Sequence, residues 1–536
     1  MAGALEFDHI VVGAGSAGCV LAARLAEQGL RVLLLEAGPR DRSPLLSIPG
    51  ASAFGAAARR FNWSYECEPQ PELGGRRLYL SQGRVLGGGS SINGMVYTRG
   101  FPHDYDAWRD AGCTGWGFED LLPYFRRSEA NERGEDAWHG GSGPLAVTRG
   151  RSSLGICERI LAAADQAGYP RVADFAQPGD GGFGYYDFTI AKGRRVSSST
   201  AFLRRNDGAA GPTVIAGAQA ARVLTENGRA NGVAFALDGV VQTAHAAGEV
   251  ILCAGAINSA KLLLLSGIGP ADQLRALGVP VTLDQPQVGR NYQNHLAYKL
   301  AWATRAPITG YRYLSPFTGG LEAARYLAGR RGFLAEGSSP VGGFFRSEPA
   351  LPHPDLQLFS PPVVVGLLGK GLRAMLPSEH GFSFFVNQGR PASRGFVALR
   401  SADPRDAPVI EPRYLSEPSD LEALVSGVER LRDLAAQPAL AAVISREIRP
   451  GPQARTRAEI AASIRQLASN HFHVSGTCRM GPDGADAVVD PQLRVHGLLG
   501  LRVADASIMP ELVNGNLNAP VMMIAEKAAA MIVGEA

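Results

Sequence analysis

The sequence predicts an α/β protein: a Rossmann-type domain at its head, joined to a second, strand-rich domain in its later half. Three observations carry this. Residues 8–36 run strand, glycine turn, helix, strand. A second strand–glycine turn–helix element spans Glu249 to Ser266. From about Leu300 to Leu467, proline, aromatics and short strands dominate.

Asp8 to Val12 reads as a short buried strand. Gly13-Ala14-Gly15-Ser16-Ala17-Gly18 follows at once, and Cys19 to Gln28 has the apolar spacing of a helix. Arg31 to Leu35 is a second apolar strand, with Glu36 at its end and Ala37 beyond. This is the G-x-G-x-x-G fingerprint in its βαβ setting. Gly13 permits the tight turn, Gly15 lets the backbone approach a pyrophosphate, and Gly18 lets helix and strand pack closely. The helix N-terminus offers free N–H groups and a partial positive charge to phosphates. Glu36 can accept hydrogen bonds from an adenosine ribose. With 66 glycines in the chain, the triplet alone says little. The triplet in register with both strands and the acid says much more.

At 536 residues the chain is too long for one simple core, so two closely joined domains are expected. Hydrophobic content of 45% with 19% charged residues describes a globular protein with a large interior. The net charge of +3 and the absence of a long basic run argue against a nucleic-acid partner; the basic residues are nearly all Arg, with five Lys. Cys19, Cys67, Cys113, Cys157, Cys253 and Cys478 are scattered without a C-x-x-C pair, which fits reduced thiols in a cytoplasmic protein. No secretory signal pattern and no uninterrupted apolar stretch of about 20 residues is seen.

Trp63 lies in a loop-rich stretch. The run Gly83-Arg84-Val85-Leu86-Gly87-Gly88-Gly89-Ser90-Ser91-Ile92-Asn93-Gly94-Met95-Val96 exposes backbone as a second glycine loop, with Ser90 as an expected N-cap. Such a loop suits a flat, phosphate-bearing cofactor. Asp104–Ala111 and Phe118–Ser128 read as amphipathic helices with Trp108 and Phe125 inward, and helical spacing of Ile156, Ile160 and Leu161 predicts another at Leu154–Ala167. His139, in a turn, reads as structural. Arg195 to Leu203 enters a helix through a run of hydroxyls. Thr213–Ala216, Ala221–Glu226 (with Val223) and Ala230–Leu237 alternate as antiparallel strands. Glu249–Cys253 is a buried strand that turns at Ala254-Gly255 into the helix Ala260–Ser266, compatible with the adenosine end of a cofactor. Pro361 to Pro377 is unusually apolar; it reads as core or pocket wall, with a peripheral membrane or partner patch as the alternative.

The chemistry concentrates near the C-terminus. Asn470-His471-Phe472-His473-Val474-Ser475-Gly476-Thr477-Cys478-Arg479-Met480-Gly481 is one stretch. Leu501 to Pro510, with Asp505 and Ala506, is a strand and turn. Asn514-Gly515-Asn516-Leu517-Asn518-Ala519-Pro520 then opens the helix Val521–Val533. That helix N-terminus is a second anion site. His471 and His473, two apart, invite a metal-site reading on a strand, but no carboxylate or cysteine cluster completes it, so no metal is expected.

Together these stretches resemble the glucose–methanol–choline (GMC) family of flavin oxidoreductases, over nearly the whole chain. The resemblance implies FAD, an FAD-binding domain and a substrate domain built on an antiparallel sheet flanked by helices. It divides the chain into FAD-domain parts at 1–155, 196–299 and 468–536 and substrate-domain parts at 156–195 and 300–467. The cofactor residues it implies are Gly13, Gly15, Ser16, Ala17, Gly18, Glu36, Ala37, Trp63, Arg84, Leu86, Gly87, Ser91, Asn93, Gly94, Met95, Val96, Val223, Ala254, Phe472, Asp505, Ala506 and Asn518. Some members attach FAD through a histidine where this chain has Ile92, which has no nucleophile, so non-covalent FAD is expected. His473 matches the family's catalytic base, and Asn518 is taken as its partner on the substrate oxygen, with a helix N-cap as the plainer reading of Asn518. His295, in a loop the family shares, is expected to be structural.

The activity implied is oxidation of a primary alcohol, hydroxymethyl-aromatic or aliphatic, to the aldehyde, by hydride transfer to flavin N5 with proton loss to His473. Oxygen or a quinone reoxidises the flavin, and the protein is expected as a monomer or homodimer. No aromatic or glutamate-rich cage is legible, so choline is not favoured. The alternative on the same fold is a non-oxidative FAD enzyme, a lyase or light-driven decarboxylase; His473 and Asn518 together argue against it. A cofactor-binding sensor without catalysis and an NAD-dependent dehydrogenase are the other readings, the latter opposed by the Gly87 loop and the C-terminal motif.

Overall fold

The computed structural model describes residues 5–204, 211–366 and 379–534. Two sheets organise them. The first contains β1 (Leu5–Val12), β2 (Val32–Glu36), β3 (Thr213–Ala216), β4 (Gln219–Glu226), β5 (Arg229–Leu237) and β6 (Val240–Leu252), in the order β3-β2-β1-β6-β5-β4. β3, β2, β1 and β6 are parallel, the Leu501–Val503 strand adds in parallel to the end of β6, and β5 and β4 fold back antiparallel. All five residues of β2 are buried, the mark of a parallel strand covered on both faces. Helix α1 (Ser16–Glu27) crosses from β1 to β2, and α2 (Gly255–Leu265) leaves the end of β6.

The second sheet contains β7 (Leu296–Thr304), β8 (Val341–Phe345), β9 (Leu356–Ser360), β10 (Gly381–Gln388) and β11 (Ile444–Arg449), in the order β11-β7-β10-β9-β8, with the Gly182–Tyr185 strand beyond β8 and Ser469–Asn470 paired to β7. Every pairing in it is antiparallel. This is the α/β architecture expected, with the second sheet antiparallel.

The two ends of the chain meet. Helix α3 (Asn518–Val533) packs on α1 through a buried bidentate pair, Arg24 Nε and Nη2 donating to Glu526 at 2.8 and 2.9 Å. Ser128 Oγ donates to the same carboxylate at 2.9 Å. Truncating Arg24 would take its bidentate partner from the buried Glu526 carboxylate, leaving Ser128 and Arg127 Nε at 3.5 Å, a loss of up to about 3–5 kcal/mol. The pair sets the N-termini of α1 and α3 side by side, which is what positions the site.

Several local expectations change. The helices run Pro102–Asp110 and Gly155–Gln166, Pro102 taking the first turn where its missing N–H costs nothing. Ser90 caps no helix: Gly88–Ser91 is a single 3₁₀ turn, and Ser90 Oγ bonds Gly87 O and Ser198 Oγ. The hydroxyls after Arg195 lead only into the wide turn Ser199–Leu203. Of the Pro361–Pro377 stretch, Pro361 and Pro362 are buried and residues 367–377 lie outside the described residues. Among the described residues no helix is long and apolar enough to cross a membrane.

Candidate active site

The glycine fingerprint does what its spacing implies. Gly13 turns at φ 99°, and a Cβ there would fall 2.6 Å from Cys253 O. A Cβ at Gly18 would fall 1.9 Å from Gly13 O, so only glycine lets α1 pack this close. The second loop docks onto the first: Gly87 N–H donates to Ala14 O at 2.7 Å, and a Cβ on Gly88 would lie 2.6 Å from Gly15 Cα. Two backbones approach here with no side chain between them. Gly15 gives α1 no side-chain cap, and Leu517 gives α3 none, so the N–H groups of both first turns face the same region.

At the far end of this cradle, Glu36 accepts from Ala14 N–H at 3.0 Å and Gly38 N–H at 2.7 Å. Burial pushes its carboxyl up to about 7, against the pull of those two N–H groups. The turn at Gly38 packs on the Arg84 backbone, and the Arg84 guanidinium lies 4.8 Å over the Trp63 ring. Arg84 Nε is buried without a partner among the described residues. Asn93 Oδ1 accepts from Met95 N–H at 3.1 Å and holds Met95 in the left-handed region. Asp505 is buried and fully engaged, accepting from Gly255 N–H, Ser259 Oγ and Ser507; it anchors α2 and the Ala506 turn. Val223 donates its N–H to Ser266 Oγ at 2.9 Å, so that N–H is not free for a ligand. Uncapped helix ends, a bare glycine cradle and an orphaned guanidinium N–H together fit a group that carries a pyrophosphate. Ile92, in the second loop, packs with Leu46, Phe61 and Val85.

His473 sits over the other end. Phe472 before it is held at φ 66° by Asn470 Oδ1, which accepts its N–H at 3.2 Å. A left-handed phenylalanine costs of order 1–3 kcal/mol and marks a tightly determined position. His295 Nε2 lies 2.8 Å from Gly389 O, so it must donate there. His295 Nδ1 is then an acceptor, and His473 Nδ1, at 2.8 Å, donates to it. That leaves His473 Nε2 unprotonated, an acceptor. Asn516 Nδ2 approaches this nitrogen at 3.4 Å, while Asn516 Oδ1 accepts from Thr98 Oγ1 at 3.2 Å and Gln357 Nε2 at 3.3 Å. Burial, then His295 and His471, hold His473 well below the usual histidine range, so it is neutral. His295 is likewise pulled down to about 4 and His471 to about 3, in both cases mainly by burial.

The asparagine beside His473 is therefore Asn516, not Asn518. Asn518 is the first residue of α3, and its Oδ1 accepts from Ser16 Oγ at 2.8 Å, on the α1 side. The Gly515–Asn516 turn is pinned to the opposite side by Asn516 N–H donating to Thr98 Oγ1 at 3.0 Å. Two asparagines two residues apart are equivalent in sequence; the helix start separates them. His295, read as structural, touches the candidate base directly. His471 does not pair with His473 around a shared centre: its Nδ1 meets Asn387 Oδ1 at 3.1 Å and its ring lies between Phe359 and Phe385. Among the described residues no cluster of three metal-ligating side chains occurs. His139 lies elsewhere, bonded to Glu129 and Asp174, which raise it to about 9 against burial.

A family profile described as GMC oxidoreductase matches residues 7–297, and its C-terminal counterpart matches 391–525. Human mitochondrial choline dehydrogenase is 43% identical, covering 99% of this chain and 90% of that protein. An oxygen-dependent choline dehydrogenase of Rhizobium etli is 40% identical, covering 99% and 96%. The crystal structure of pyridoxine 4-oxidase from Mesorbium loti superposes with a TM-score of 0.87 at 32% identity, covering 98% of each chain. Fold, cradle and relatives define an FAD-dependent oxidoreductase of the CH–OH group. Within that class, the chain belongs to the GMC oxidoreductase family.

Proposed function

We propose that the protein oxidises a primary alcohol to the aldehyde, with His473 as the base and Asn516, rather than Asn518, as the group that orients the hydroxyl. The observation that carries this is the chain Gly389 O, His295, His473, Asn516, which leaves one buried imidazole lone pair unprotonated and aimed. Bound FAD supplies a hydride acceptor. His473 Nε2 takes the hydroxyl proton, because an alkoxide gives up hydride far more readily than an alcohol. Asn516 Nδ2 can turn from Nε2 to the substrate oxygen, a shift that its long 3.4 Å contact makes cheap. His295 accepts from Nδ1–H throughout and steadies the imidazolium as it forms.

FAD is held without a covalent bond in this reading, since Ile92 offers no nucleophile. Oxygen is the proposed acceptor, supported by the oxygen-dependent choline dehydrogenases and the pyridoxine oxidase among the relatives. Anaerobic bleaching of the purified yellow protein by a panel of alcohols, followed by readmission of air, tests the activity and the acceptor together. Yellow colour that no alcohol bleaches overturns the reading.

A further inference from the structure

The wall of the site facing the cradle is one face of the antiparallel sheet, and its register sorts the side chains into two rows. Alternate residues of a strand share a face. His295, just before β7, reaches His473, so Ala297 and Lys299 continue on the same side. Ala297 pairs with Asn387 and Asn387 with Gln357; one step farther, Lys299 pairs with Phe385 and Phe385 with Phe359. The near row carries two amides that reach the neighbours of the base: Gln357 bonds Asn516, and Asn387 bonds His471. Gln357 Oε1 and Asn387 Nδ2 are buried with no partner among the described residues. The far row is aromatic and ends in a lysine.

Lys299 is 7% exposed and makes no hydrogen bond or ion pair among the described residues; its ammonium lies 4.9 Å over the Phe385 ring. Lys261, equally buried, shows the usual solution: it donates to Pro404 O and Asp406 O at 2.7 and 2.6 Å. No acidic side chain stands in either row, and residues 367–378 contain no Asp or Glu. Burial, with Arg449 beside it, pulls Lys299 down only to about 8, which leaves it charged at neutral pH. His295, His471 and His473 nearby are neutral and offer no counter-charge. A buried ammonium with no counter-ion is costly unless a ligand supplies one. It also covers the aromatic face that a quaternary ammonium would need, and it repels one.

We propose that Lys299 binds an anionic oxygen on the alcohol substrate, so that the protein takes flat alcohols carrying a carboxylate and rejects choline. This rests on the alcohol-oxidation reading above. Lys299 stands four residues along the strand from His295, on the order of 13 Å between Cα atoms, so such a substrate needs about a ring between hydroxyl and acid.

The test compares benzyl alcohol, 4-(hydroxymethyl)benzoate, its methyl ester and choline on the holoenzyme and on Lys299→Met. The carboxylate should exceed its ester in kcat/KM by about tenfold or more in the parent, the scale of a hydrogen bond to a charged group, and the advantage should vanish in Lys299→Met. Benzyl alcohol, which carries no acid, should lose far less than the carboxylate in the variant. Calorimetric titration with 4-methylbenzoate, which has no hydroxyl to oxidise, should show binding to the parent and none to Lys299→Met. A carboxylate-to-ester ratio unchanged in Lys299→Met, or choline as the best of the four, overturns the proposal. Failure of every alcohol to react, with 4-methylbenzoate binding still dependent on Lys299, would instead overturn the oxidation reading alone.

Discussion

His295 and His473 share a hydrogen bond between their Nδ1 atoms, 2.8 Å apart, with the rings perpendicular. Two neutral imidazoles can do this only if one is the Nδ1–H tautomer and the other is not, and the Gly389 carbonyl decides which. His295→Leu removes the acceptor and leaves a buried donor unsatisfied. The expected loss in the rate of flavin reduction corresponds to about 1–3 kcal/mol. His295→Gln, whose amide oxygen can accept, should recover much of it. Stopped-flow reduction with FAD content measured alongside checks both variants; equal rates in Leu and Gln variants would show that the contact only fills space.

His473→Ala should lower flavin reduction by roughly 10²–10⁴-fold with FAD still bound, the span of general-base loss. Asn516→Ala should cost less, on the order of 1–3 kcal/mol, as one oriented hydrogen bond. Asn518→Ala breaks the contact with Ser16 and should show as about 1 kcal/mol of stability, with the alcohol step little changed. If Asn518→Ala slows alcohol oxidation more than Asn516→Ala, the two asparagines have been assigned the wrong way round.

The pH profile follows from the direction of the His473 shift. Burial holds its pKa below the ordinary histidine value of 6.5, so the base stays deprotonated as pH falls through that value. Flavin reduction by an uncharged alcohol should therefore be level from alkaline pH down past 6.5 and decline only below it. A midpoint at or above the ordinary value would mean that His473 is more hydrated, or more favourably paired when charged, than its surroundings indicate.

Acid precipitation should release all the yellow colour into the supernatant. Ile92 occupies the expected attachment position and is packed among Leu46, Phe61 and Val85. Flavin that stays with the pellet, located by peptide mapping, would point to a different attachment residue.

In air, each alcohol turnover should yield one hydrogen peroxide. Negligible peroxide together with fast reduction of a soluble quinone would reverse the proposed acceptor. The measurement needs only a peroxide assay run beside product formation.

Sequence alone determined the parts whose chemistry is local. The βαβ fingerprint is legible because three glycines, two apolar strands and Glu36 must keep a fixed spacing to make one turn. The second glycine loop and the His473 stretch are legible for the same reason, and their order along the chain is specific. Which residues meet depends on the folded chain. Asn516 and Asn518 differ by two positions, and it is the start of α3, locked to α1 by Arg24 and Glu526, that sends one to Ser16 and the other to His473. His295 lies 178 residues from His473, and Gly389 lies 94 from His295. The register of β7 against β10 and β9, which no short-range pattern encodes, sets Lys299 beside Phe385 on the site's face. Periodicity reports what a segment does with its own neighbours; pairing between distant strands depends on how the whole sheet closes, and that is where this site acquires its tautomer, its partner and its charge.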